Sequence, residues 1–313
     1  MNKNMKNSKF SHLDVYKKFK EKIKLHKKFI DNFSMLISNN PIVCLTKNKT
    51  HILNTVFLRS AINTLNSIQN CCNCGCFSDA NVLVRKYRDD LLLYLFILEV
   101  LDNREGLTND EINEFTDGEM DANKLTELVF STMSVIKNGS RKDNNDKAVD
   151  AWFNNDASKG KYKNKLSINN YFNYIKSNEE IQECINKHDL HSDWEEIRQR
   201  LNDFTHNNGK EFLRHNILEL LSKNEIKNTI SQITQDISFV TSFFLVVIIL
   251  IKPNFIMSTD YVDSMDVGIE PPKDSQYWVA PFIKEYIDNN IVKLHPKLKS
   301  FLHHNNKYGM KIE

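Results

Sequence analysis

No proline occurs between Pro41 and Pro253, and the glycines Gly75, Gly106, Gly118, Gly139, Gly160, Gly209, Gly268 and Gly309 fall one at a time between apolar segments. A chain so poor in the two residues that break helices is expected to be built of helices joined by short connections. Apolar spacing agrees. Over residues 11–38, Leu13, Tyr16, Phe19, Ile23, Ile30, Phe33 and Leu36 recur at three, four or seven residues, which predicts a first helix with Ser11 as its N-cap. Ile52, Val56, Leu58, Ala61, Leu65 and Ile68 predict a second helix from about Lys49 to Asn70. A third begins near Ser78 and runs through SDANVLVRKYRDDLLLYLFILEVLDN, apolar nearly all round in its middle and so the expected central helix. No alternation is strong enough to argue for a sheet.

After Gly106 the pattern weakens. GLTNDEINEFTDGEMDANK is acidic and RKDNNDKAVDAWFNNDASKGKYKNK polar, so short helices and loops are expected from about 106 to 184. Periodicity returns in SINNYFNYIK and DLHSDWEEIRQRLNDFTH, where Trp194, Ile197, Leu201 and Phe204 form an apolar stripe with Arg200 beside it. Residues 237–251 hold the only membrane candidate. Fifteen residues with Ser238, Thr241 and Ser242 among them fall short of the ~20 apolar residues a spanning helix needs, so a buried core helix is expected and no membrane association. The domain reading is one helical unit over 1–255, with its centre at about 50–105 and 185–255, and a helical extension over 256–313 that is split before Pro296.

Charge and cysteines narrow the function classes. Forty-two basic and 40 acidic residues leave a net charge of +2, which is not the body of a duplex-coating protein. The first thirty residues nevertheless carry ten lysines against Asp14 and Glu21. Lys17, Lys18, Lys24, Lys27 and Lys28 are candidates for weak, sequence-independent RNA contact, or are simply a solvated face. Without a signal peptide before Cys44, Cys71, Cys72, Cys74, Cys76 and Cys184, the chain is read as cytoplasmic with reduced thiols. CCNCGC is too local for the two separated knuckles of a zinc site, and His188 and His191 lack further ligands nearby, so neither a metal nor a cofactor is expected.

The remaining chemistry lies in RQRLNDFTHNNG, residues 198–209. An RNA 2′-hydroxyl attacks the adjoining phosphorus when a base takes its proton, an acid protonates the leaving 5′-oxygen and a fixed cation stabilises the phosphoryl oxygens. Histidine and guanidinium supply those roles, and the planar arginine fork suits two phosphoryl oxygens. Asn207, Asn208 and Gly209 stop a helix, placing His206 in its last turn. Residues six apart point about 240° apart on a helix, so Arg200 and His206 meet only if the helix ends there or if a second copy contributes. The competing reading pairs Arg200 with Glu196 and Asp203, with His206 as a cap.

RLNDFTH on a late helix resembles the HEPN superfamily, whose signature is an arginine, four to six residues and a histidine. GCFSDANVLVRKYRDDLLLYL is similar to the earlier helix of HEPN proteins of the abortive-infection kind, through Ala80, Leu83, Arg85 and Asp89. The resemblance covers about residues 50–105 and 185–255. It implies an all-α, HEPN-like helical bundle with added N- and C-terminal helices, paired as a homodimer so that two Arg/His sets share one cleft. It also implies a metal-independent endoribonuclease of a toxin or phage-defence system, with an antitoxin or nucleotidyltransferase as partner. On that reading Arg200 and His206 are catalytic, and Asn202, Asp203, Arg85 and Asp89 support them. Leu201, where the family usually has a polar residue, leaves open the alternative of a non-catalytic HEPN module that binds nucleotide, RNA or a protein partner.

Overall fold

The computed structural model describes residues 9–38, 42–46, 49–53, 55–104, 134–136, 143–157, 162–206 and 208–313. These are mostly helical. The helices are α1 (Asp14–Ser38), α2 (Val56–Cys74), α3 (Phe77–Asp102), α4 (Asn144–Phe153), α5 (Ile168–Lys176), α6 (Glu179–Lys187), α7 (Leu190–His206), α8 (Lys210–Arg214), α9 (Lys223–Ile251), α10 (Asp260–Asp266), α11 (Pro281–Tyr286) and α12 (Leu298–Asn305). From α11 the chain continues through a wide turn, Ile287–Ile291, to Leu294. The stretch GLTNDEINEFTDGEMDANK lies outside the described residues.

Sequence reading missed a small sheet. Strands β1 (Ile42–Thr46) and β2 (Lys49–Leu53) form an antiparallel hairpin, and β3 (Ser134–Ile136) runs parallel to β1 on its other side. Residues expected to open α2 therefore belong to β2, and the helix begins at Val56. Ile52 and Val56 sit four apart, a helical spacing, but Thr50 and Ile52 are β-branched and pair with Leu45 and Val43 across the hairpin.

Helix α9 is the axis of the core. Ser222 caps it, accepting from the Glu225 N–H while Glu225 accepts from the Ser222 N–H, and every residue from 239 to 251 is buried. This helix is long and apolar enough to cross a membrane, yet its apolar window is mostly covered by the chain itself. Helices α1 and α3 supply much of the cover, with Phe33 edge-on to Phe244 and the Tyr87 hydroxyl 2.7 Å from Thr241 Oγ1. One continuous set of buried apolar side chains runs from Phe10 to Ile312, so residues beyond 256 pack into the same core.

A hydrogen-bonded chain pins α1, α9 and α11 together. Ser238 Oγ donates to the Thr234 carbonyl at 2.8 Å, which leaves it to accept from His26 Nε2 at 3.0 Å; His26 Nδ1 then accepts from the Tyr286 hydroxyl at 3.0 Å. Burial, assisted by the nearby Lys22 charge, drives the His26 pKa down to about 3. The folded protein thus holds a neutral imidazole that the unfolded chain protonates near pH 6.5. The stability this contributes is complete above about pH 6.5 and is lost as pH falls toward 3, by about 1.4 kcal/mol per pH unit. Denaturant titrations at pH 7 and pH 5 should show that part of the slope vanish in His26→Gln; an unchanged slope would show that the ring is not held neutral.

Candidate functional site

Helix α7 lies against α3 and α6 and buries Leu190, Trp194, Ile197 and Leu201, while Phe204 is only half-buried. Burying that stripe decides where the flanks point. Trp194, Arg198, Asn202 and His206 follow one another at four-residue steps on one side, and Arg200 falls on the other. The helix is continuous to His206, so a single chain does not bring Arg200 and His206 together.

Arg200 faces α9. Its Nη2 donates to Asp236 Oδ1 and its Nη1 lies 3.3 Å from Glu196 Oε1, while Asp203, the other partner expected from sequence, accepts from Asn208 Nδ2 at 2.8 Å. Asp236 is only 1% exposed and Gln232 Nε2 donates to the same oxygen at 3.0 Å. Burial raises the Asp236 carboxyl pKa, and the Arg200 charge opposes that rise. Arg200 is therefore the counter-ion of a buried carboxylate, a role not legible from its own neighbours. Asp236 itself was the available signal: it is the single charged residue between Lys227 and Ile251.

On the other flank, α3 contributes an arginine-rich seam. Asp89 is shared by Arg85, at 3.5 Å, and by Arg88, whose Nε and Nη2 donate to Oδ1 at 2.8 and 2.7 Å. Asp90 pairs with Lys86 instead. The Arg88 guanidinium, 1% exposed, lies 5.5 Å from the Trp194 ring centroid and within range of the Arg198 charge. Arg198 is held by Glu195 at 2.8 Å. Burial pushes the Asp89 carboxyl pKa up against the pull of both arginines. Three buried polar atoms among these residues have no described partner: Arg85 Nη1, Arg88 Nη1 and Asn202 Oδ1. His206 ends α7 exposed, without a described hydrogen-bond or ion-pair partner.

The expected support residues divide accordingly. Arg85, Arg88 and Asp89 meet on α3, where Arg88, readable from sequence as a cleft residue or an internal ion pair with Asp89 and Asp90, pairs with Asp89; Asn202 is half-buried on α7, and Arg198, which sequence reasoning did not place in the site, lies within range of the Arg88 charge. Asp203 secures the turn after α7. On α1, Lys18, Lys24 and Lys28 are exposed, Lys17 is paired with Asp14, and Lys27 donates to Asn66. His188 and His191 diverge: His188 Nδ1 lies 3.0 Å from His295 Nδ1, and the His191 ring stacks on Phe172. Cys72 is buried in the core and its thiol pKa is raised by that burial. No family model matches the chain, and neither a curated protein nor a solved structure does.

The two ends of the motif should respond differently to truncation. Arg200→Ala leaves Asp236 buried without its counter-ion and should cost about 3 kcal/mol, whereas His206→Ala should stay within about 0.5 kcal/mol. Without Arg200 the folded-state carboxyl pKa rises further above its unfolded value. The cost should then shrink as pH falls from 7.5 to 5, and Asp236→Asn should offset most of it. Equal stability of Arg200→Ala and the parent in urea titrations would show that the ion pair contributes nothing.

Proposed function

We propose that this chain is a HEPN-type, metal-independent endoribonuclease of the toxin or phage-defence class, acting as a homodimer whose cleft is lined by two copies of α7. The observation that carries the reading is the exposed His206 at the end of the stripe through Arg198 and Asn202, on a helix that packs on α3 with the Arg88 guanidinium over Trp194. In the reaction His206 takes the 2′-hydroxyl proton and returns one to the leaving 5′-oxygen, and guanidinium groups hold the phosphoryl oxygens as charge develops. Arg198 lies on the His206 side of α7. Arg200 takes part in the paired cleft only after leaving Asp236, so the ion pair describes the resting chain.

A second reading is favoured by that same ion pair. With Arg200 engaged by Asp236 and Glu196 and followed by Leu201, the chain would be a non-catalytic HEPN module that binds nucleotide, RNA or a protein partner. Cleavage separates the two. The enzyme should cut RNA in excess chelator and leave 2′,3′-cyclic phosphate ends, because the attacking oxygen belongs to the substrate. His206→Ala should remain folded and dimeric and lose at least ~100-fold in rate. Arg200→Lys, which keeps a cation for Asp236, is the variant that tests Arg200 without unfolding the chain, and it should also cut more slowly. RNA bound but never cut by the parent would select the binding module.

Charge on α1 is tested separately. Reversing Lys18, Lys24 and Lys28 together should weaken RNA binding evenly across sequences and flatten its salt dependence, by about one unit of slope for each phosphate that the side chains no longer neutralise. An unchanged affinity and slope would leave α1 as ordinary surface.

A further inference from the structure

The corner between α2 and α3 brings cysteines together by a backbone rule. Gly75 adopts φ 84°, its N–H bonds to the Cys72 carbonyl at 3.3 Å, and the Cys76 N–H bonds to the Cys71 carbonyl at 2.9 Å. These two bonds define the left-handed helix ending in which the first and sixth residues pack their side chains against one another. Here those residues are Cys71 and Cys76. Both are half-buried, Cys74 between them is exposed, and Cys72 faces the core. Each of Cys71 and Cys76 lies close enough to Cys74 for its charge to be felt, and Cys71 also feels Cys76. Among the described residues no three His, Cys, Asp or Glu side chains are arranged to hold a metal ion.

We propose that Cys71 and Cys76 form a redox-active dithiol that a peroxide oxidises to a disulfide. One thiolate attacks a peroxide oxygen, the O–O bond breaks, and a sulfenic acid and water form. The second sulfur attacks the sulfenic sulfur and the S–O bond breaks with release of a second water. Two thiols and one hydrogen peroxide thus give one S–S bond and two waters, the sulfurs being oxidised and the peroxide oxygens reduced. Burial holds both thiols protonated at neutral pH, so the reaction accelerates as pH rises. A small molecule such as glutathione reverses it by thiol–disulfide exchange.

The corner also seats the segment that follows α7. The Phe77 N–H donates to the His215 carbonyl, Asn216 Oδ1 accepts from the Ser78 and Asp79 N–H groups, and a Cβ at Gly75 would meet Leu218 at 3.3 Å. Oxidation is therefore expected to be felt beside His206 through the His215 ring on Phe204. The proposal does not depend on RNA cleavage.

The test treats the native full chain with hydrogen peroxide, alkylates the remaining thiols after unfolding and measures mass. Two alkylation sites should disappear within one chain, and the tryptic peptide carrying residues 71–76 should resist fragmentation between 71 and 76. Cys71→Ser and Cys76→Ser should each abolish that change, Cys74→Ser should preserve it, and reduction should restore both thiols. A bond that maps to Cys74, a bond between chains, oxygen added to single cysteines without any disulfide, or thiols that stay unreacted at alkaline pH would each overturn the assignment.

Discussion

The cover that α9 demands is the constraint on which the rest of the structure depends. A helix buried at every position from 239 to 251 must be enclosed on all sides, and no two helices alone enclose a third. Helices α1 and α3 lie along it, Phe172 of α5 and Trp194 of α7 pack on Phe243, and the C-terminal segment from Pro253 to Ile312 adds further cover. Polar groups on the same helix are then obliged to find partners inside the protein. Ser238, Thr241 and Ser242 reach His26, Tyr87 and Tyr286, and Asp236 reaches Arg200.

That obligation reaches the candidate site. Arg198 and Arg200 are separated by one residue, and helix geometry sends them about 200° apart. One guanidinium joins the seam with α3; the other neutralises a carboxylate on α9. A single helix therefore carries a fixed structural cation and an exposed histidine on opposite flanks. Any chemistry that uses both in one cleft must draw on a second chain and free Arg200 from Asp236, at an expected cost in stability.

Much of this was legible locally. The seven- and four-residue spacings of α1, the all-round apolar character of α3 and α9, and the Trp194, Ile197 and Leu201 stripe of α7 correspond to buried faces in the folded chain. The hairpin was missed because Ile52 and Val56 fit a helical spacing as well as a strand and its neighbour. CCNCGC could be recognised as unusual, yet its arrangement as a helix ending that turns on Gly75 appears only in the backbone.

From sequence alone came the helical character, the long core segment and the identity of RLNDFTH as a histidine-ended helix. These are periodic properties, recorded in residues three and four apart whatever else the chain does. Tertiary packing alone decided that Arg200 answers Asp236, that Arg88 lies over Trp194, that His188 meets His295 and that Cys71 is bonded through its backbone to Cys76. The first three pairings join residues distant in sequence and depend on how one helix is rotated and shifted against another. The last depends on a positive backbone angle at Gly75, which the residue permits without requiring it.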